Sequence, residues 1–395
     1  MTAPDPIVIV GAARTPMGGF LGDLKDAPAH ALGARAISAA VERAGINADS
    51  VEEILMGCVL PAGQGQAPAR QAAIGAGLPL AAGATTINKM CGSGMKAAMV
   101  AHDLLRAGSA DVVVAGGMES MSNAPYLLDR ARAGYRMGHG RTIDSMFLDG
   151  LEDAYDKGRL MGTFAEDCAQ DYQFTRAAQD AYALTSLERA NRAIRCGDFA
   201  WEIVPVSVKA GKLETLVSTD EHPPKAKPDK IPTLKPAFRD GGTVTAANSS
   251  SISDGAAALV MMRESEAGKR GLTPLARVVA HSTHAAAPKD FPTAPIGALK
   301  KLIEKTGWAH DSVDLYEINE AFAVVAMAAM RDLGLPHEKV NVNGGACALG
   351  HPIGASGARI LVTLIGALRA SGGKRGVASL CIGGGEATAM AIESA

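Results

Sequence analysis

Two stretches of the chain resemble each other: SGMKAAMVAHDLLRAG at residues 93–108 and SGARILVTLIGALRASG at residues 356–372. Each begins with Ser-Gly and continues with small and apolar residues, and each is followed by a strand-like run that ends in paired glycines, at 116–117 and at 383–384. Self-similarity of this kind indicates a structural unit that occurs twice. The sequence therefore predicts two similar halves, in which the segments just before the two helices converge at a junction.

Short apolar runs bounded by glycine alternate with alanine-rich helical stretches along most of the chain. Strands that are apolar throughout are typical of sheets covered by helices on both faces, which is the pattern of α/β proteins. We therefore predict an α/β fold, with strands near residues 7, 52, 110, 313 and 375.

The middle of the chain has a different character. Residues 123–248 are charged and proline-rich, and EHPPKAKPDKIPTLKP at 221–236 excludes long regular elements because proline interrupts both helices and strands. We interpret 123–248 as an inserted loop domain. The N-terminal half then comprises residues 1–122 plus 249–273, and the C-terminal half comprises residues 274–395.

The composition limits the class of function. A chain of 395 residues with 47% hydrophobic residues can bury a large core, and a net charge of -2 indicates no nucleic-acid groove. Apolar runs such as 321–330 are shorter than the roughly 20 residues of a membrane span. The N-terminus has no targeting pattern, so we expect a cytoplasmic protein. The six cysteines include no Cys-x-x-Cys pair, which predicts free thiols rather than a zinc site or disulfides.

Cys91 lies in the glycine-rich sequence CGSG, at the predicted start of a helix near Ser93. The helix dipole is expected to lower the pKa of a thiol in this place, and the glycines allow a substrate carbonyl to approach the backbone amides. An isolated cysteine is more often a small buried hydrophobe, and we interpret Cys58, Cys168 and Cys196 in that way.

Three further residues are candidates for chemistry. His351 lies between Gly350 and Pro352, in a fixed turn that would make it a positioned base. Cys381 ends a strand that runs into glycines, so one cysteine could be the nucleophile and the other a proton carrier. Asn319 follows a strand and begins a predicted helix, where it is either an ordinary N-cap or part of the site.

Five ordered motifs carry a family resemblance: NKMCGSGMKAA at 88–98, GGMESMS at 116–122, NEAFA at 319–323, GGACALGHPIGASGAR at 344–359 and CIGGG at 381–385. From about residue 5 to the C-terminus the chain resembles the thiolases, and in particular the acetyl-CoA acetyltransferases. The resemblance implies a five-layered αβαβα thiolase fold of two similar halves with an inserted loop domain. It also implies a homotetramer.

The resemblance implies a role for each candidate. Cys91 resembles the nucleophile that becomes acetylated, His351 the base that activates it, and Cys381 the acid and base that moves a proton at the reacting carbon. Asn319 matches the residue that holds a water, which together with His351 forms one oxyanion hole. The backbone amides of Cys91 and Gly383 match the second oxyanion hole.

The resemblance further implies a substrate carried on coenzyme A, with the inserted domain covering the pantetheine. Phe291, in KDFPTAPIGA, is predicted to wall a short acyl pocket that suits acetyl and acetoacetyl groups. Three positions depart from the family: Leu160, where a histidine is common, Pro224, where a basic residue is common, and Glu386, where many members have glutamine. The other positions that match family contacts to the substrate are Met161, Ala237, Phe238, Ala246, Ser250, Ala321 and Phe322.

The function implied is that of an acetyl-CoA C-acetyltransferase, which catalyses the reversible Claisen condensation of two acetyl-CoA molecules through an acetyl-Cys91 intermediate. Two alternatives stay open: a 3-ketoacyl-CoA thiolase of broader range in fatty-acid β-oxidation, and a non-catalytic thiolase-like acyl-CoA-binding subunit. The joint presence of Cys91, His351, Cys381 and Asn319 argues against the second. Acyl-CoA substrates and copies of the same chain are the expected partners, without a separate cofactor, a metal, a nucleic acid or a membrane.

Overall fold

Strands and helices alternate through residues 5–210 and 213–395, which are described by the computed structural model. The strands are β1 (Ile7–Arg14), β2 (Gly18–Gly19), β3 (Glu53–Gly57), β4 (Gly83–Ile87), β5 (Val112–Ser120), β6 (Tyr126–Leu127), β7 (Ile143–Asp144), β8 (Val206–Ala210), β9 (Leu213–Val217), β10 (Ser253–Arg263), β11 (Ala276–Ala285), β12 (Leu315–Ile318), β13 (Arg375–Ile382) and β14 (Glu386–Ser394). The α-helices are α1 (Ala29–Ala44), α2 (Pro68–Gly75), α3 (Ser93–Ala107), α4 (Met161–Asp171), α5 (Arg176–Cys196), α6 (His222–Lys225), α7 (Glu264–Lys269), α8 (Ala294–Thr306), α9 (Ala323–Leu333), α10 (Ala346–Leu349) and α11 (Ser356–Ser371).

One ten-stranded mixed sheet runs through the described residues in the order β12-β13-β14-β11-β1-β10-β5-β3-β4, with the short β2 paired to β10. Pairing is parallel between β3 and both of its neighbours and between β12 and β13, and it is antiparallel elsewhere. Within the sheet, the strands of the two halves join where β1 pairs with β11, through three residue pairs. All five strands predicted from apolar runs are present, as β1, β3, β5, β12 and β13.

Alternating side chains divide the core into layers. On β1, Val8 and Val10 pack with residues of α1 and α2, whereas Ile7 and Ile9 pack with residues of α3 and α11. The same inner core receives residues from β13 and β14, and the opposite face of those strands packs against α8 and α9. The order is therefore α1 and α2, N-terminal sheet, α3 and α11, C-terminal sheet, α8 and α9. This confirms the predicted five-layered αβαβα fold.

The repeated Ser-Gly pairs have a packing reason. A Cβ atom at Gly94 would lie 2.8 Å from the backbone nitrogen of Ala358, and one at Gly357 would lie 2.3 Å from the backbone nitrogen of Met95. Side chains at either position would force α3 and α11 apart. The repeat therefore marks the place where the two inner helices approach closely, and it brings the segments before them together.

The region predicted as an insertion contains α4, α5 and the antiparallel hairpin of β8 and β9. Its proline-rich part, 221–236, forms only α6 and the 3₁₀ turn Pro228–Thr233. Arg14 anchors this region to β1, since its Nε lies 2.5 Å from a carboxylate oxygen of Glu202 and its Nη1 lies 2.7 Å from Asp220. The boundaries at 123 and 248 stay predictions. No helix among the described residues is long and apolar enough to cross a membrane.

Candidate active site

A mostly apolar cavity of about 350 Å³ lies where the two halves meet the inserted region. Cys91, His351, Cys381 and Gly383 all line it, as do the eight residues predicted to contact the acyl-CoA. Asn319 is buried and does not reach the cavity wall. The sequence missed the other lining residues, which are Phe147, Gly150, Leu151, Gly162, Ser249, Ser251, Ile252 and Ile353; Leu160 also contributes to the wall.

Cys91 lies in a tight turn just before α3. Met90 has a positive φ of 47°, and Ser93 closes the turn by accepting the Lys89 N–H at 2.8 Å and donating to the Met90 carbonyl at 2.6 Å. Helix α3 begins at Ser93, with Gly92 as its N-cap. The predicted position of Cys91 at a helix start is therefore confirmed, although the unusual backbone angle belongs to Met90 rather than to the flanking Gly92.

The expected lowering of the Cys91 pKa is wrong. Burial raises the pKa of the thiol to about 11, which outweighs the opposing effect of the backbone N–H groups of Gly383 and Cys91. Desolvation wins because Cys91 faces a mostly apolar cavity whose wall comes largely from the C-terminal half and the inserted region. In the resting protein Cys91 is therefore a thiol, with two backbone N–H groups that favour its thiolate.

His351 is held in one orientation by its neighbours. Gly350 before it has a φ of 106°, and a Cβ there would lie 2.2 Å from the Ser253 hydroxyl oxygen. The His351 Nδ1 is 2.5 Å from the Ser356 hydroxyl, which in turn donates to the Pro352 carbonyl at 2.9 Å. Because the Ser356 hydroxyl proton is donated to the Pro352 carbonyl, the Ser356 oxygen accepts the Nδ1–H of His351. The free lone pair of His351 is therefore on Nε2.

The charge state of His351 follows from its surroundings. Burial lowers the pKa of the imidazole to about 3, and the nearby positive charge of Arg359 lowers it further. His351 is therefore neutral at physiological pH. The resting site holds a thiol and a neutral imidazole rather than an ion pair, so the proton leaves Cys91 only while the sulfur attacks.

Cys381 is fully buried at the end of β13. Burial raises the pKa of its thiol well above the ordinary value, and the charge of a Cys91 thiolate adds to the shift. The two cysteines line the same cavity, and a charge on Cys91 disfavours ionisation of Cys381. Cys381 is accordingly protonated at rest, which is the form that can donate a proton.

Asn319 is not a helix cap. Helix α9 begins at Ala323 with Phe322 as its N-cap, and Asn319 lies in the loop between β12 and α9. Its side-chain nitrogen lies 3.5 Å from both ring nitrogens of His351, and its side-chain oxygen lies 3.5 Å from an Arg359 nitrogen. Arg359 therefore orients the amide so that its N–H₂ group faces His351.

Glu119, within the motif GGMESMS, has a positioning role that the sequence did not reveal. Its buried carboxylate accepts backbone N–H groups from Val59 and Leu60 of the N-terminal half, at 2.9 and 3.1 Å, and from Gly354 of the C-terminal half at 2.9 Å. It thereby fixes the loop that carries His351 against the half that carries Cys91. Burial raises the pKa of Glu119 to about 7, against the lowering effect of these three N–H donors.

This raised pKa predicts a pH dependence of stability. Between its reference value of 4.5 and about 7, the folded protein holds a proton on Glu119 that the unfolded chain has released. The contribution of this group to stability is therefore present at low pH and lost as the pH rises through that window. The difference in unfolding free energy between wild type and Glu119→Gln should shift in favour of the variant between pH 5.5 and pH 8. Urea unfolding at both values measures it, and a pH-independent difference would contradict this prediction.

Glu386, the third departure from the family, forms an ion pair with Lys89, two residues before Cys91. Both side chains line a neighbouring cavity that shares Gly150, Met161 and Gly383 with the catalytic one. The pair joins the two halves beside the nucleophile.

One group of three side chains brings potential metal ligands together, and the expectation that the protein binds no metal stays a prediction. Among residues 5–210 and 213–395, His102, Asp103 and His281 bring three ligand atoms within 4.8 Å of one another. None of the three lines the catalytic cavity.

Two thiolase family models together match almost the whole chain. A family model described as "Thiolase, N-terminal domain" matches residues 7–265, and one described as "Thiolase, C-terminal domain" matches residues 272–394. Acetyl-CoA acetyltransferase 2 of Arabidopsis thaliana is 52% identical over 394 residues, which cover 99% of this chain and 97% of that protein.

Solved structures are similar over their whole length. The crystal structure of an acetyl-CoA acetyltransferase from Bacillus anthracis superposes with a TM-score of 0.97 at 42% identity, with 100% of both chains covered. A thiolase from Ascaris suum, solved in complex with coenzyme A, gives a TM-score of 0.94 at 41% identity, covering 99% of this chain and 100% of that one.

Proposed function

The chain belongs to the thiolase family, and from that premise we propose how it works as an acetyl-CoA acetyltransferase. Two acetyl-CoA molecules condense to acetoacetyl-CoA and free coenzyme A, or the reverse thiolysis occurs, through an acetyl-Cys91 intermediate. The observation that carries this proposal is the meeting of Cys91, His351, Cys381 and Gly383 on the wall of one cavity. The non-catalytic alternative would give no reason for two thiols and a neutral imidazole to meet there.

In the first half-reaction the Cys91 sulfur attacks the acetyl carbonyl carbon while Nε2 of His351 takes the thiol proton. The bond from carbon to the coenzyme A sulfur then breaks. Cys381, which is protonated at rest, gives its proton to the departing sulfur. The products are acetyl-Cys91, free coenzyme A, an imidazolium at His351 and a thiolate at Cys381.

In the second half-reaction the Cys381 thiolate takes a proton from the methyl group of a second acetyl-CoA. The resulting enolate carbon attacks the acetyl carbon on Cys91, and the Cys91 sulfur leaves as a thiolate. His351 returns its proton to that sulfur, so the enzyme ends in its starting state. Each proton step is assigned to a side chain, and the absence of a separate cofactor stays a prediction.

The negative charge that develops on the two carbonyl oxygens requires fixed donors. The N–H groups of Cys91 and Gly383 stabilise negative charge at the Cys91 sulfur, so they suit the oxygen of an acetyl group bound to it. A water between Asn319 and His351 would serve the oxygen of the enolate. Donors of this kind typically lower a barrier by about 3 kcal/mol each, because they are oriented before the charge appears.

The coenzyme A arm is proposed to enter along the apolar wall supplied by the inserted region. Met161 and Phe238 come from that region, whereas Ala321 and Phe322 come from the C-terminal half. Phe238 and Phe322 meet edge to face, with ring centroids 5.9 Å apart. Leu160 keeps the wall apolar at the position where a histidine is common in the family, which favours the uncharged pantetheine over any charged group.

Chain length is tested by comparing 3-ketoacyl-CoA thiolysis from acetoacetyl-CoA up to long-chain substrates. Phe291 is buried, lines the cavity and packs against Phe164 and Phe322 with centroids 6.1 and 6.4 Å apart, so its ring closes the acyl end. We expect wild type to prefer acetoacetyl-CoA, and Phe291→Ala to raise kcat/KM for longer chains relative to acetoacetyl-CoA by on the order of tenfold. Equal wild-type rates across the series would favour the broader 3-ketoacyl-CoA thiolase instead.

We propose a homotetramer as the working assembly, since oligomer contacts would cover exposed apolar side chains such as Tyr126, Leu128 and Met137. Multi-angle light scattering at micromolar concentration should report four chains, and a monomer would contradict the proposal. All six cysteines are free, which fits a reducing compartment, so a cytoplasmic location is part of the same proposal.

A further inference from the structure

Two adjacent side chains of helix α3 meet a third side chain from strand β11. His102 and Asp103 lie on α3, and His281 lies on β11. Nδ1 of His102 and Nε2 of His281 are each 3.0 Å from the same oxygen of Asp103. We propose that this group is a binding site for a divalent transition metal of the zinc class, separate from the catalytic cavity.

The spacing of the ligand atoms suits a tetrahedral ion. Nitrogen and oxygen ligands at 2.0–2.1 Å from zinc are separated from each other by about 3.3 Å. The two 3.0 Å separations need to lengthen by only a few tenths of an ångström, and the third, which lies within 4.8 Å, needs to close to the same value as the ion binds. The two imidazole rings are edge to face, with centroids 5.0 Å apart, so their nitrogens can point to a common centre without stacking.

The three side chains differ in how far they are exposed to solvent. The two histidine side chains are 16% exposed and that of Asp103 is 59% exposed, which leaves room for an ion to enter and for water as a fourth ligand. Two imidazoles with one carboxylate favour zinc, cobalt or nickel over magnesium and calcium, which prefer oxygen ligands.

A neighbouring positive charge works against cation binding at this group. Lys305 donates to the backbone carbonyl of His281 at 2.9 Å, so its charge opposes the incoming ion.

A bound metal would join the two halves. Helix α3 belongs to the repeat unit that begins beside Cys91, and β11 belongs to the C-terminal sheet. Because the ion binds the folded arrangement alone, it should stabilise the protein by an amount that grows with the logarithm of its concentration above Kd. The role inferred is therefore structural, and the metal takes no part in the acyl transfer.

The test is titration of the full-length protein with Co²⁺, followed by absorption and by calorimetry. Catalytic thiols also bind such ions, but cobalt bound by nitrogen and oxygen lacks the thiolate charge-transfer band. We expect one thiolate-free cobalt per chain in wild type, and a loss of affinity of about 100-fold or more in His281→Ala and in Asp103→Asn. His139→Ala, which removes an exposed histidine outside the group, should bind as wild type does.

A second measurement guards against variants that do not fold. In the absence of metal, Asp103→Asn keeps the size of the side chain and should melt close to the wild-type temperature. Adding Zn²⁺ should raise the melting temperature of wild type and His139→Ala but not of Asp103→Asn or His281→Ala. Equal affinity in wild type and His281→Ala, a thiolate band on the only bound cobalt, or no binding below millimolar metal would each overturn the proposal.

Discussion

Cys91→Ala is expected to lose acyl transfer by on the order of 10⁴-fold or more, because the proposed covalent intermediate forms on the Cys91 sulfur. Without the sulfur, His351 has no thiol proton to remove. The backbone N–H groups of residue 91 and Gly383 then have no acyl-enzyme oxygen to bind. The fold should be preserved, since alanine occupies less space than cysteine in a cavity that is open to substrate. Acetoacetyl-CoA thiolysis and intact-protein mass spectrometry after mixing with acetyl-CoA measure the two losses.

Cys196→Ala is the matched control for this experiment. Cys196 is the exposed last residue of α5 and lies outside the catalytic cavity, so its replacement should leave the rate and the acetyl adduct unchanged. Circular dichroism of both variants separates loss of chemistry from loss of structure. A labile acetyl adduct that still forms on Cys91→Ala would show that another residue is the nucleophile.

Local sequence patterns predict many of the strands of the central sheet. The apolar runs predict β1, β3, β5, β12 and β13 because each is buried on both faces. By contrast β11, ARVVAHSTHA, contains polar residues, and β14, EATAMAIES, is rich in alanine and glutamate, which are weak strand formers. These two strands form through their antiparallel pairing with each other, with nine residue pairs, which no local pattern reveals.

The position of the four candidate residues on one cavity was predictable, whereas the direction of the Cys91 pKa shift was not. The motif resemblance placed Cys91, His351, Cys381 and Gly383, and the structure puts all four on one cavity wall. The pKa of Cys91 was predicted in the wrong direction because a helix start is a local feature, whereas desolvation depends on what distant segments place over the sulfur. Contacts between distant residues also account for the positioning role of Glu119, which binds Gly354 from 235 positions away.

Cys381→Ser is expected to separate the two half-reactions, which makes it the sharpest test of the proposed mechanism. His351 can still activate Cys91, and a thiolate leaves readily without a proton donor, so acetyl-CoA should still acetylate the enzyme. The serine hydroxyl is a much weaker acid than a thiol and does not become the anion that the second half-reaction needs. Removal of the methyl proton should therefore slow by about 100-fold or more, which is the usual contribution of a positioned base.

Two readouts distinguish the steps in this variant. Mass spectrometry follows the acetyl adduct, and exchange of the acetyl-CoA methyl hydrogens in deuterated water follows proton removal. Cys381→Ser should accumulate acetyl-Cys91 while exchange is nearly lost. In wild type, the burial that keeps Cys381 protonated at rest also makes its thiolate a strong base, and the variant has no such thiolate. His351→Ala should show the opposite order of defects, with acetylation failing first. If Cys381→Ser instead loses acetylation and retains exchange, the roles of the two groups are reversed and the mechanism is wrong.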